Sequence, residues 1–212
     1  LWTHRRDVDV ELAIVGHSGL TLHEGVLYAG FTDGMVAALR VADGGVVWER
    51  PTQLDIEENN DAHTFYDADA TPVVVDDIVY CASFAAGVYA LDRSNGTVLW
   101  REPIKGVNGL TTAGRFLVLA SADEGVLTLD RNTRERLWSR PLTRGAPGQP
   151  VITGNGTVLV AESTGSLLAL DLRSGRELSR IDSGHGFAAA PAVAGELGWI
   201  LSNGGTLMAF HL

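Results

Sequence analysis

Lysine is almost missing from this chain of 212 residues: Lys105 is the only one among sixteen basic residues, which face 26 acidic ones for a formal net charge of −10. No basic run exists to neutralise phosphates or to sit on an anionic bilayer, so nucleic-acid binding and surface-electrostatic membrane binding are disfavoured. Cysteine is as scarce. Cys81 alone rules out an internal disulfide and any four-thiol metal site. Long apolar runs are also missing, since the best stretch, Phe187 to Leu201, is broken by Pro191 and Glu196. It falls short of the roughly 20 residues a bilayer-crossing helix needs. The opening residues, Leu1-Trp2-Thr3-His4-Arg5-Arg6, hold neither an initiator Met nor an apolar signal segment. The targeting signal of the parent protein is therefore expected outside this chain.

The patterns of catalytic and metal chemistry are wanting too. The histidines, at positions 4, 17, 23, 63, 185 and 211, include no pair at His-x-His or His-x-x-x-His spacing. No Gly-x-Ser-x-Gly elbow occurs, and Gly16-His17-Ser18-Gly19 is one residue short of it. The acidic stretch Asp55 to Asp61 lacks the alternating oxygen ligands and central Gly of a calcium loop, and reads as a solvated insertion. Paired carboxylates at Asp76-Asp77 and Asp123-Glu124 fall in loops, where polar residues belong anyway. No catalytic residue, metal ligand or cofactor contact is expected.

What is present is an ordinary globular composition, 45% hydrophobic and 20% charged, arranged as a repeat. Gly87-Val88-Tyr89-Ala90-Leu91-Asp92 leads through Ser94-Asn95-Gly96 to Val98-Leu99-Trp100. The same phrase recurs from Gly34 to Trp48, from Gly125 to Trp138, and from Gly165 to Ser179, the last with Ser in the Trp place. In each copy nine residues separate the Leu (39, 91, 129 or 170) from the residue in the Trp place (48, 100, 138 or 179). The Leu positions, continued to Phe210, are spaced by 52, 38, 41 and 40 residues.

Each copy holds four short apolar runs parted by Gly, Asn, Asp or Pro, the mark of a small four-stranded antiparallel sheet. A period near 40 belongs to propeller blades. The fold expected is all-β, a β-propeller of four-stranded antiparallel blades with about five blades in residues 1–212 and an acidic loop insertion at 53–66. The terminal Trp residues would supply the flat apolar surface on which blades stack, with an indole N–H for a partner in the next blade. Leu1-Trp2-Thr3 resembles the last strand of a unit and Gly205 to Leu212 the strand before it. Either five blades close on themselves, or the chain is part of a larger ring.

The phrase Gly87 to Trp100 resembles the tryptophan-docking repeat of pyrroloquinoline-quinone-type propellers. Together with Asp67-Ala68-Asp69-Ala70-Thr71-Pro72-Val73-Val74-Val75 it is similar to the BamB family, lipoprotein subunits of the outer-membrane β-barrel assembly machinery, from Trp2 to Leu212. The resemblance implies the later blades of an eight-bladed parent in the periplasm, a non-enzymatic scaffold held to the inner face of the outer membrane by a lipid anchor absent from this chain. It implies docking on the POTRA domains of the barrel-forming subunit BamA, in support of outer-membrane protein folding and insertion, with nascent outer-membrane proteins as a further partner. Two loops would carry the docking. One is the Asp-x-Asp-x-Thr-Pro loop at Asp67, Asp69, Thr71 and Pro72. The other falls on Leu12, Ile14 and Val15, where Val15 replaces an expected Arg and Ile14 an expected Leu; Arg5, Arg6 or Arg50 could stand in for the missing charge. The competing reading of Asp67 and Asp69 is turn chemistry, short carboxylates bonding their own backbone before a Pro-initiated strand. Two alternatives from other classes are a quinone-dependent oxidoreductase and a ligand-sensing propeller domain.

Overall fold

The computed structural model describes residues 1–6, 18–52 and 67–212. The expected insertion at 53–66 and the candidate residues Leu12, Ile14 and Val15 lie outside them. Among the described residues all regular structure is β: nineteen strands in five antiparallel sheets, each strand paired with its neighbours in sequence. The all-β expectation and the expected blade topology hold. No described helix is long and apolar enough to cross a membrane.

The chain divides into two compact units, Leu1–Val107 and Asn108–Leu212. In the first unit one sheet runs β1 (Thr21–His23), β2 (Val26–Gly30), β3 (Met35–Arg40), β4 (Val46–Pro51). The next runs β5 (Val73–Val75), β6 (Ile78–Ser83), β7 (Gly87–Asp92), β8 (Val98–Glu102). The division falls at the start of β9 (Val107–Ala113), which opens a sheet continued by β10 (Phe116–Ser121), β11 (Gly125–Asp130) and β12 (Arg136–Arg140). The second unit also holds β13 (Val151–Ile152), β14 (Thr157–Ala161), β15 (Ser166–Asp171) and β16 (Glu177–Asp182). Its last sheet has three strands, β17 (Ala192–Ala194), β18 (Leu197–Leu201) and β19 (Leu207–His211).

The middle strands are buried on both faces, which is why they read as continuous apolar runs instead of alternating ones; in β7, Gly87 through Leu91 are all buried. The constant spacing of nine has a structural cause. In all four full sheets the pairing of the last two strands slips by one residue just before the repeated Leu, between Ala38 and Leu39, Ala90 and Leu91, Thr128 and Leu129, and Ala169 and Leu170. This bulge places a small residue opposite the Trp position: Ala38 faces Trp48, Ala90 faces Trp100, Thr128 faces Trp138 and Ala169 faces Ser179. The turn that follows closes with a left-handed residue at Gly44, Gly96 and Gly175, where Cβ would cost energy, and at Arg134 in the third copy (φ 66°).

Those glycines are also the seats of the indoles. The Trp48 ring lies on Gly96, whose missing Cβ would fall 2.7 Å from it, and Trp48 Nε1 donates to the carbonyl of Arg93 at 2.8 Å. Trp138 sits on Gly175 and donates to Leu172 at 2.8 Å; Trp2 sits on Gly44 and donates to Val41 at 2.7 Å. Each indole therefore leaves its own segment to pack on the hairpin turn of the following sheet, as the sequence pattern predicts. Around these contacts the core of the first unit gathers Tyr28, Val36, Val79, Cys81, Tyr89 and Leu91.

Candidate partner-docking site

The Asp67–Pro72 segment is held by backbone groups on both sides. Ala68 N–H donates to the carbonyl of Phe31 at 3.0 Å, in the turn between β2 and β3, while Phe84 N–H, in the turn between β6 and β7, donates to the carbonyl of Asp67 at 2.9 Å. The segment thus bridges the two sheets of the first unit. Gly30 is needed at the crossing, because a Cβ there would overlap the carbonyl oxygen of Ala68. Further along, Thr71 Oγ1 accepts Gly19 N–H at 2.9 Å, Thr21 Oγ1 donates to the carbonyl of Pro72, and Ser18 Oγ reaches the carbonyl of Ala70 at 3.5 Å. Ser18 and Gly19 are therefore brought against Ala70 and Thr71.

Exposure sorts the carboxylates. Asp67 is 1% exposed, as are Ala68 and Ala70, whereas Asp69 and Thr71 are half-buried. Of the two Asp residues, Asp69 alone presents surface. Arg6, one of the candidate replacement charges, is already engaged: it pairs with Asp33 at 2.9 Å and Glu49 at 3.0 Å and lies over the Phe31 ring, 5.7 Å from its centre. Arg5 and Arg50 also have interactions of their own. The residues that lock the segment, Gly30, Phe31 and Phe84, carry no site-like signal in the sequence. Their part is played mainly by backbone atoms, and only the Gly at the end of β2 hints at a close approach. Among the described residues, no group of three His, Cys, Asp or Glu side chains converges to hold a metal ion.

A family model described as outer membrane protein assembly factor BamB matches residues 1–140 and 123–212. The chain belongs to the BamB family. The Yersinia pestis protein named outer membrane protein assembly factor BamB is 30% identical over 212 residues, covering 99% of this chain and 53% of that one. The Xanthomonas campestris protein of the same name is 32% identical over 203 residues, covering 95% and 50%. The crystal structure of BamB from Moraxella catarrhalis superposes with a TM-score of 0.82 at 22% identity, over 100% of this chain and 63% of that one. That likeness shows the fold, a β-propeller of the repeat type read from the sequence. The chain spans about half the length of the curated relatives it matches.

Proposed function

We propose that this chain is part of a non-enzymatic scaffold of the outer-membrane β-barrel assembly machinery, a partial ring from a longer propeller that docks on the POTRA domains of a BamA-like barrel subunit. The observation that carries the reading is membership of the BamB family over essentially the whole chain. The site geometry supports it. A loop whose backbone is bonded to two sheets offers Asp69 and Thr71 in a fixed position, so little ordering entropy is lost when a partner is gripped. Asp67, itself buried, serves the loop's shape. The setting is the periplasm, with a lipid anchor on the parent protein and nascent outer-membrane chains as further clients.

The test is calorimetric titration of the cognate POTRA domains into this chain. Asp69→Ala should weaken binding several-fold with an unchanged circular dichroism spectrum, and adding Asp67→Ala should weaken it further. A double variant that binds as wild type does would remove the site. Wild-type chain that fails to bind any POTRA domain would remove the partner.

A further inference from the structure

Two grooves of the same build have opposite electrostatics. In the first unit a groove of about 430 Å³ lies where the β1–β2 turn meets the β7–β8 hairpin, with Val26, Tyr28 and Val47 in its lining. Arg93 bridges it, pairing with Glu24 at 2.5 Å and with Asp77 at 3.1 Å. The second unit has the equivalent groove, of about 380 Å³, where the β9–β10 turn meets the β15–β16 hairpin, lined by Arg115, Phe116, Leu137 and Arg173. Backbone bonds fix the register. Trp48 and Trp138 donate to the carbonyls of Arg93 and Leu172, whose own N–H groups donate to the carbonyls of Asp77 and Gly156. In this register Phe116 answers Val26, Leu137 answers Val47 and Arg173 answers Ser94, while Gly114, Gly156 and Leu172 stand where Glu24, Asp77 and Arg93 stand. All three members of the ionic bridge are gone from the second groove, and two arginines line it.

Among the described residues no carboxylate lines this groove. Asp130 and Asp171, which precede the two hairpins beside it, turn their carboxylates into those hairpins and accept the N–H of Asn132 at 2.9 Å and of Ser174 at 2.8 Å. Arg115 is held in place, with Asp130 3.4 Å from one arm of its fork and the centre of the Phe116 ring 5.4 Å from its guanidinium carbon, yet its side chain is 60% exposed. Arg173 is exposed, and its side chain makes no ion pair or hydrogen bond among the described residues. Two like charges bordering one cleft repel each other. An anion between them removes that repulsion, and an apolar group attached to the anion covers Phe116 and Leu137. The size agrees, since small-ligand sites begin at roughly 300 Å³.

We propose that this groove binds an acidic peptide segment of another protein, one carboxylate side chain gripped by Arg115 and Arg173 and a neighbouring aromatic or aliphatic side chain laid on Phe116 and Leu137. A peptide is favoured over an anionic bilayer because a bilayer presents its many charges to a whole chain of net charge −10, whereas one carboxylate meets only the arginines around it. The groove lies in the second unit and shares no residue with the Asp69 segment of the first, so its binding is separable from POTRA docking.

The probe is the blocked tripeptide acetyl-Glu-Phe-Glu-amide, titrated into the full chain at low salt and followed by ligand-detected NMR. It should bind saturably with a dissociation constant of about 1 mM or below, and binding should weaken as sodium chloride is raised. Arg173→Gln, at a side chain that bonds nothing in the fold, should weaken binding at least about fivefold with an unchanged thermal midpoint. The uncharged acetyl-Gln-Phe-Gln-amide should not compete. Absence of saturable binding up to about 10 mM peptide would overturn the proposal. So would equal binding of the uncharged peptide, or of the acidic one by the Arg173→Gln chain. Arg173-dependent binding to phosphatidylglycerol vesicles, with none to the peptide, would overturn the choice of partner.

Discussion

Cys81 lies in the middle of β6, 1% exposed, and burial pushes its thiol up to about 12, against a smaller opposing pull from Arg50. At pH 8 only about one thiol in ten thousand would be ionised, and the thiolate is the reactive form. An aromatic disulfide reagent should leave the native chain untouched at that pH and titrate one thiol in guanidinium chloride. Rapid labelling of native protein would show that the first unit's core is open. At this scale the sequence was only partly legible. A single Cys in an apolar run can be placed in a strand, but its depth depends on which face the neighbouring sheet covers. Asp67 makes the same point from the other side. Asp-x-Asp-x-Thr-Pro reads alike whether its first carboxylate points out or in, and the Phe31 and Phe84 backbone bonds that bury it come from distant turns.

Among elements, the hairpin that joins the last two strands of each sheet is the unit that repeats. In the four full sheets its bulge sets the offset between Leu and the Trp place, and at Gly44, Gly96 and Gly175 its left-handed Gly gives an indole a flat seat. Replacing Gly96 or Gly175 with Ala forces a side chain into a positive φ and into the ring of Trp48 or Trp138. The backbone term alone costs about 1–2 kcal/mol. With the overlap, each variant should lose at least about 2 kcal/mol in urea unfolding. Gly195→Ala, at a positive φ with open space around it, should lose only the backbone part. Equal losses at all three sites would mean that the indole contact contributes nothing. The spacing of nine was readable directly, and so was the role of Trp as a stacking surface. The bulge was not, because a slipped pair leaves no composition of its own: Ala-Leu and Thr-Leu look like any strand.

For the whole molecule, charge is the dominant bulk property. Several of its carboxylates are held below their usual range. Asp92 and Asp171 are lowered chiefly by the hydroxyls of Ser94 and Ser174, Glu24 by Arg93, and Glu177 by Arg180. A carboxyl whose folded pKa is depressed stabilises the fold fully above its unfolded value, about 4. That contribution is lost as pH falls through the folded pKa. Urea midpoints should therefore hold between pH 7 and 5 and drop below about pH 4, in spite of the relief of repulsion from a net charge of −10. A midpoint that rises on acidification would show repulsion to be the larger effect. At this scale the architecture was legible from period and spacing, since a 40-residue repeat with four short runs has few other solutions. The blade number of the intact protein was not, because it is fixed by curvature summed over repeats.

The seating of Trp48 on Gly96, and of Trp138 on Gly175, has an evolutionary corollary. A repeat cut after its fourth strand carries one plug and one whole socket, so whole repeats can be duplicated or deleted in the gene without orphaning either. At Ser179, in the fourth full sheet, the plug is absent while the strand pairing and its bulge are kept.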